Sequence, residues 1–445
     1  MENLQPEAAA ASGGIVAPKI ASAAAREPFA VSDRERLAAL LTYPLAYLYI
    51  RSASADAPAA QRLLLAAFAL GFFALSEYLY RGVSRARESW VWLGCAAAVL
   101  ASILLERGNA WEEGLPVAFL HIFAVWWALS RSGALLAGES GSLLPLDALN
   151  GFALFPFGNL PLRLRTAWTA LARLRRGRAP GKEEAGAAAW TLAVTAAALG
   201  LLALAANLLI DADSGFAALA RGFFALLRFD WDFDRLLAFA YRVLFSLPVG
   251  AYLYGLLGGA LRADRARLRS RAAEVGETLE LLRGVPARVW LALLSLFCAL
   301  YALFFAVQGR YLFGAFTRTL PAGFLVSEYA RQGFFELCKV MAVNFALLWL
   351  VTRSARTDGR GRRALRALCL ALLSESFLLA VVALSKLALY IDCFGFTPRR
   401  LQSTWLACVL AFGCCCAAWS LARGEKTFRV WMYFGAVTLS LLCLY

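Results

Sequence analysis

The 445-residue chain is 61% hydrophobic and 17% charged, with a formal net charge of +15. A water-soluble domain carries about a quarter charged residues and under half apolar ones, so this composition excludes an ordinary soluble protein and makes lipid the solvent. The basic residues lie in short gaps beside apolar segments rather than along one soluble face, which argues against nucleic acid and for anionic lipid headgroups as partners.

Residues 1–36 are rich in Ala, Ser, Gly and Pro, with no basic stretch leading into an apolar one. They predict a disordered cytoplasmic tail and not a cleaved signal peptide. Apolar segments follow at Leu37–Ile50, Arg62–Tyr80, Trp90–Leu105 and Leu115–Ser130, a four-helix N-terminal membrane part over 37–130. A basic loop at 131–186 leads to the C-terminal membrane part, 187–445. Its segments are Ala187–Ile210, Arg235–Ala260, Val289–Val307, Gly333–Val351, Leu365–Ile391, Gln402–Ala422 and Arg429–Tyr445. A span needs about 20 residues, so the first, third, fourth and last segments are short.

Arginine decides the ambiguity. Basic residues load every second gap: Arg81, Arg85 and Arg87; then the run from Arg163 to Lys182; Arg262 to Arg271; Arg353 to Arg363; and Arg423 with Lys426. The intervening gaps are poorer in them or acidic, as with Glu106, Glu112 and Glu113, or Asp230, Asp232 and Asp234. By the positive-inside rule this alternation predicts an all-α polytopic transmembrane helix bundle of about 11 spans (range 10–12), with its N-terminus in the cytoplasm. One or two further helices lie in the interface. Ser142–Leu162, with three prolines, reads as a re-entrant or interfacial turn leading into the basic amphipathic stretch Arg163–Arg178, and Phe216–Phe229 reads as a surface helix on the other side.

No cofactor or metal site is expected. The ten cysteines sit almost entirely inside apolar segments without Cys-x-x-Cys spacing, and there is one histidine, His121. Asp230-Trp-Asp-Phe-Asp234 has the acidic spacing of a calcium loop, but Arg235 and Tyr241 stand where its glycine and bidentate glutamate belong. Neither a phosphate-binding glycine loop nor a nucleophile elbow occurs, and Gly255, Gly258 and Gly259 suit close helix packing.

Three polar stretches are more specific: QGRYLFG at 308–314, SEYARQGFFEL at 327–337 and LYIDCFGFTPRRL at 389–401. Through them the chain between residues 301 and 405 resembles a family of uncharacterised bacterial multipass membrane proteins, domain of unknown function 4173, which typically has Leu where Phe396 stands. The resemblance implies a multipass protein of the bacterial cytoplasmic (inner) membrane and implies no activity.

A charge at mid-bilayer costs about 2.5 to 3.5 kcal/mol, so such residues face a partner or a cavity. Candidates are Glu77, His121, Glu336, Lys339, Glu375 and Lys386. Glu336 and Lys339 share a helix face, and Glu375 and Lys386 nearly do so on the next span. With Arg310, Glu328, Arg331 and Asp392 near the outer ends, they predict an anion or zwitterion site between the seventh, eighth and ninth helices. The rival reading is structural: Lys386 snorkels outward and Glu336 pairs with Lys339. Three functions compete. The first is a solute or ion permease using this site. The second is a non-transporting sensor or assembly partner that binds a ligand at the outer face and acts on a protein partner. The third is a membrane-embedded transferase on a lipid-linked substrate.

Overall fold

A computed structural model describes residues 30–106, 114–177, 233–313, 326–356 and 359–445, which form an all-α polytopic bundle. The helices in chain order are α1 (Asp33–Ala53), α2 (Pro58–Leu79), α3 (Ser89–Leu104), α4 (Leu115–Ser132), α5 (Leu144–Leu149), α6 (Phe155–Gly158) and α7 (Leu160–Gly177). They continue with α8 (Phe233–Arg262), α9 (Arg265–Leu281), α10 (Ala287–Phe313), α11 (Val326–Ser354), α12 (Gly359–Phe394), α13 (Pro398–Arg423) and α14 (Phe428–Cys443). Among the described residues seven helices, α2, α4, α8 and α10 to α13, are long and apolar enough to cross a membrane, and α3 and α14 are shorter apolar helices. Helix α1 occupies the first expected segment but opens with Asp33, Arg34, Glu35 and Arg36. The expected span Ala187–Ile210, the surface helix Phe216–Phe229 and the acidic stretch from Asp230 lie outside the described residues.

Sequence signals set the helix ends. Ser32 and Glu35 form a reciprocal capping box that opens α1, with Ser32 N donating to Glu35 Oε2 at 2.8 Å and Glu35 N to Ser32 Oγ at 3.2 Å. Prolines stand in the first turn of α2, α4 and α13, where the missing N–H has no intrahelical partner to lose. Left-handed glycines, Gly133 and Gly424, stop α4 and α13.

The Arg-rich gaps meet at one end of the bundle. Arg34 donates to Arg81 O at 2.6 Å, Arg262 to Glu35 at 2.6 Å, Arg265 to Ser132 O at 3.0 Å and Arg429 to Ser140 O at 3.1 Å. The most buried is Arg131, whose guanidinium bonds Glu77 at 3.1 Å and the carbonyls of Tyr80 and Val83. A cation there satisfies carbonyls at the C-terminal end of α2 and complements its dipole. Arg62 pairs with Glu106 at the opposite end, where Arg242 also donates to Ser54 Oγ at 3.1 Å.

The Pro-rich stretch folds as α5, a π-helical turn at Asn150–Leu154 and α6, and it docks on α8. Glycines make this approach possible. A Cβ at Gly255 would collide with the Pro156 carbonyl, and one at Gly259 would stand 2.6 Å from Asn159 Nδ2. Helix α7 then runs back against α1 and α8. Its Arg163, the first residue of the expected basic amphipathic stretch, is buried and donates to Ala39 O and Thr42 Oγ1 at 3.3 Å, while Leu164 and Trp168 are exposed.

Two apolar cores result. One lies under α1 to α4, α8 and one face of α14; the other joins α10 to α13. Helix α14 links them, since Tyr433 packs with the first core while Trp431 donates to Val409 O of α13 at 2.8 Å. A two-residue parallel pairing of Val285–Pro286 with Ala355–Arg356 ties the base of α10 to that of α11. Apolar side chains also face outward. Leu296, Leu300, Leu303 and Val307 form an exposed stripe on α10, as expected of a helix solvated by lipid.

Candidate functional site

Helices α10 and α11 both pack along α12, and neither builds an extended interface with the other among the described residues. Between them lies a cavity of about 270 Å3 with α12 as its floor. Leu300, Tyr301 and Phe304 form one wall, Glu336, Leu337 and Val340 the other, and Leu379, Val382, Ala383 and Lys386 the floor. The floor residues recur at helical spacing, so one stripe of α12 faces the cavity.

The cavity is apolar along its length and polar at both ends. Near the ends of α11 and α12 remote from the Arg-rich gaps stands Lys386, only 2% exposed, with the Glu336 carboxylate acting on its ammonium from the facing wall. Deeper in the bundle a hydrogen-bonded chain joins all three helices. The Tyr301 hydroxyl donates to Asn344 Oδ1 at 2.7 Å, and Asn344 Nδ2 donates to Ser376 Oγ at 2.8 Å. Ser376 Oγ donates in turn to Leu372 O at 2.7 Å, which satisfies every hydroxyl in the chain. Beside it Glu375 lies against the Cys298 thiol, and its Oε2 is buried with no hydrogen-bond partner.

Of the residues singled out from sequence, Glu336 and Lys386 face each other across the cavity and Glu375 adjoins its polar chain. Lys339 is exposed and outside the cavity wall, and Asp392 is exposed near the end of α12. Arg310 is in the last turn of α10 and Glu328 and Arg331 are in the first turns of α11, with side chains outside the described set. Past Lys386 a second depression of about 360 Å3 is lined by Phe334, Tyr390, Arg399 and Arg400 among others. Arg400 is committed to structure there: it stacks 3.9 Å from the Tyr390 ring centre and donates to Phe394 O at 2.9 Å. Sequence reasoning passed over Tyr301, Asn344 and Ser376. The available signal was an Asn inside the apolar run of α11, a residue type that bonds between membrane helices.

The remaining intramembrane candidates are structural. Glu77 holds Arg131 and Arg85 at the Arg-rich end. His121 bonds within its own helix, with Nδ1 2.6 Å from Val117 O, rather than between helices, and its ring meets Tyr49 of α1 edge-on. No cluster of three or more His, Cys, Asp or Glu able to hold a metal occurs among the described residues.

A second buried acidic group went unnoticed in the sequence. Asp147 of α5 is 1% exposed; its Oδ1 accepts from Leu136 N at 2.9 Å, and its Oδ2 has no partner. Burial pushes its carboxyl up to about 6, against the pull of the Leu136 hydrogen bond and with help from the nearby Glu88 charge. Glu88 is itself buried and accepts from Ser140 N at 3.1 Å and from the Tyr433 hydroxyl at 3.0 Å, which ties α14 to the start of α3.

No curated protein and no solved structure matches the chain. A family model does match, over residues 94–445: Domain of unknown function (DUF4153). That is an uncharacterised family, as the polar stretches implied, but not number 4173. The match also reaches back into α3, so the likeness is not confined to the C-terminal half. It covers well over half of this integral membrane chain, which therefore belongs to the DUF4153 family.

Proposed function

We propose that the protein is a solute or ion permease of the bacterial cytoplasmic membrane, with its N-terminus inside, and that the cavity between α10, α11 and α12 is its binding site. The observation that carries this reading is the polar chain Tyr301, Asn344 and Ser376 beside Glu375, whose Oε2 is buried without a hydrogen-bond partner, set within three apolar helices and below a facing Glu336 and Lys386. Polar groups so placed are costly in lipid unless they serve a ligand or a helix contact. Arg310, Glu328, Arg331, Lys339 and Asp392, towards the same ends of their helices, are the further ligand-binding candidates of this reading.

A proteoliposome uptake panel of amino acids, organic anions and monovalent cations tests the reading. Uptake that falls at least tenfold in Lys386→Met and in Asn344→Leu supports it; no uptake of any panel member by the wild type rejects it.

The rival is an assembly partner or sensor without flux. It is favoured by α9, a basic helix that meets α11 and, through Leu268, the first core, yet leaves Leu281 84% exposed. A protein partner recovered with the wild type and lost in Leu281→Asp would favour it. We draw no support for a transferase from the described residues.

A further inference from the structure

We infer that the α10–α12 cavity takes a zwitterionic membrane lipid, held with its headgroup at Glu336 and Lys386 and one hydrocarbon chain along the apolar floor. The inference rests on the reading of this cavity as the ligand site and narrows its ligand class to an amphipath that arrives from the bilayer.

The first argument is access. One wall is carried by α10, the least buried of the long spans, and Leu300 on that wall is 57% exposed. An exposed apolar residue on a membrane helix faces lipid, so the cleft opens sideways into the bilayer at this point. A water-soluble ligand would have to cross hydrocarbon to enter here.

Depth is the second argument. At about 1.5 Å per residue, about 12 Å of helix separates Glu336 from Asn344 and about 15 Å separates Lys386 from Ser376. One leaflet of a bilayer has about 15 Å of hydrocarbon, half of its ~30 Å core. The lining itself covers about 10 Å of α12, from Lys386 to Leu379, less than one leaflet's depth, and of the hydrogen-bonded chain Tyr301 alone reaches its wall. Its volume of about 270 Å3 is that of about nine water-sized groups at about 30 Å3 each, room for a stretch of one chain and not two.

Charge identifies the headgroup. Seven of the ten lining residues are Leu, Val, Ala or Phe, and the acidic and basic ones, Glu336 and Lys386, stand at the same end. A headgroup with one anion and one cation offers a counter-charge to each, phosphate to the Lys386 ammonium and amine to the Glu336 carboxylate. A purely anionic headgroup gains Lys386 but is repelled by Glu336, and an uncharged one gains neither.

The test uses the full-length protein reconstituted in vesicles of equimolar phosphatidylethanolamine, phosphatidylglycerol and diacylglycerol, then extracted in mild detergent, with retained lipid counted by native mass spectrometry. Phosphatidylethanolamine should be retained several-fold over the other two. Leu300→Trp places an indole over the mouth from an exposed position that packs in no core, and should abolish the preference. Leu296→Trp, a lipid-facing position on the same helix outside the cavity, should leave it intact. Glu336→Gln should shift retention toward phosphatidylglycerol. Equal retention of all three lipids, or a preference that survives Leu300→Trp, overturns the inference. The uptake panel fails independently: selective lipid retention without solute flux keeps this site and rejects the solute permease, and flux of a water-soluble panel member through a protein that retains no lipid does the reverse.

Discussion

Tyr301, in the α10 wall of the cavity, bonds Asn344 of α11 with its hydroxyl 2.7 Å from Asn344 Oδ1, and this bond joins two helices that otherwise pack mainly along α12. Hydrogen bonds between membrane helices average about 0.6 kcal/mol and rarely exceed 2 kcal/mol. The bond is thus strong enough to set the spacing of α10 and weak enough to be broken by a ligand.

Tyr301→Phe should therefore cost about 0.5–1 kcal/mol of stability, since Asn344 keeps its bond to Ser376. Asn344→Leu removes both interhelical bonds, leaves the Tyr301 hydroxyl without its acceptor and Ser376 Oγ without its donor, and should cost about 1–2 kcal/mol. Thermal unfolding in detergent reads the difference. Equal effects of the two variants would show that Asn344 does not join the three helices.

Charged residues made the ends of the bundle legible from sequence, because each Arg-rich gap announces its side regardless of how the helices pack. Lys386 and Glu336 stood out for the same reason: a charge in an apolar run is visible without a fold. Tyr301 and Ser376 were not legible, since a hydroxyl inside a span has no meaning until the register of three helices is known. Arg131 and Arg163 show the opposite failure. Counted as loop charges, they turn inward once the chain folds back, one onto the end of α2 and the other onto α1. Gly255 and Gly259 signalled a close approach, but not that its partner would be the Pro156 backbone and Asn159 rather than another spanning helix.

Those glycines give a second prediction. Gly255→Ala sets a methyl against a backbone carbonyl that cannot rotate away, so α6 must move off α8; the overpacking should cost about 1–3 kcal/mol. Gly94→Ala, on α3 with open space at its Cβ, should be neutral or slightly stabilising. Unfolding midpoints of the two variants check the contrast.

Asp147 predicts a pH dependence. Its native carboxyl titrates at about 6, above the ordinary 3.8, so the folded state holds the proton more tightly than the unfolded one. Stability from this group is fully present below pH 3.8, declines as pH rises through 6 and is absent above it. The shift of roughly 2 units corresponds to about 3 kcal/mol. Asp147→Asn keeps an oxygen for Leu136 N and carries no charge, so it should raise the unfolding midpoint at pH 8 and have little effect at pH 4. A stabilisation equal at both values would mean that burial of the charge is not the cause.

Arg131 separates a structural arginine from a topological one. Its guanidinium holds Glu77 and two carbonyls in a buried setting, whereas Arg85 holds the same carboxylate from a more exposed position. Removing the buried cation takes the charged donor from the Tyr80 and Val83 carbonyls and leaves Glu77 with Arg85 alone, at about 2–4 kcal/mol; removing the exposed one costs under about 1 kcal/mol. Arg131→Met should therefore lower stability sharply and Arg85→Met hardly at all, although each removes one positive charge from the same end of the bundle. Expression level and detergent unfolding of the pair check this, and comparable losses would mean that net charge at that end, not the geometry around Glu77, is what the fold requires.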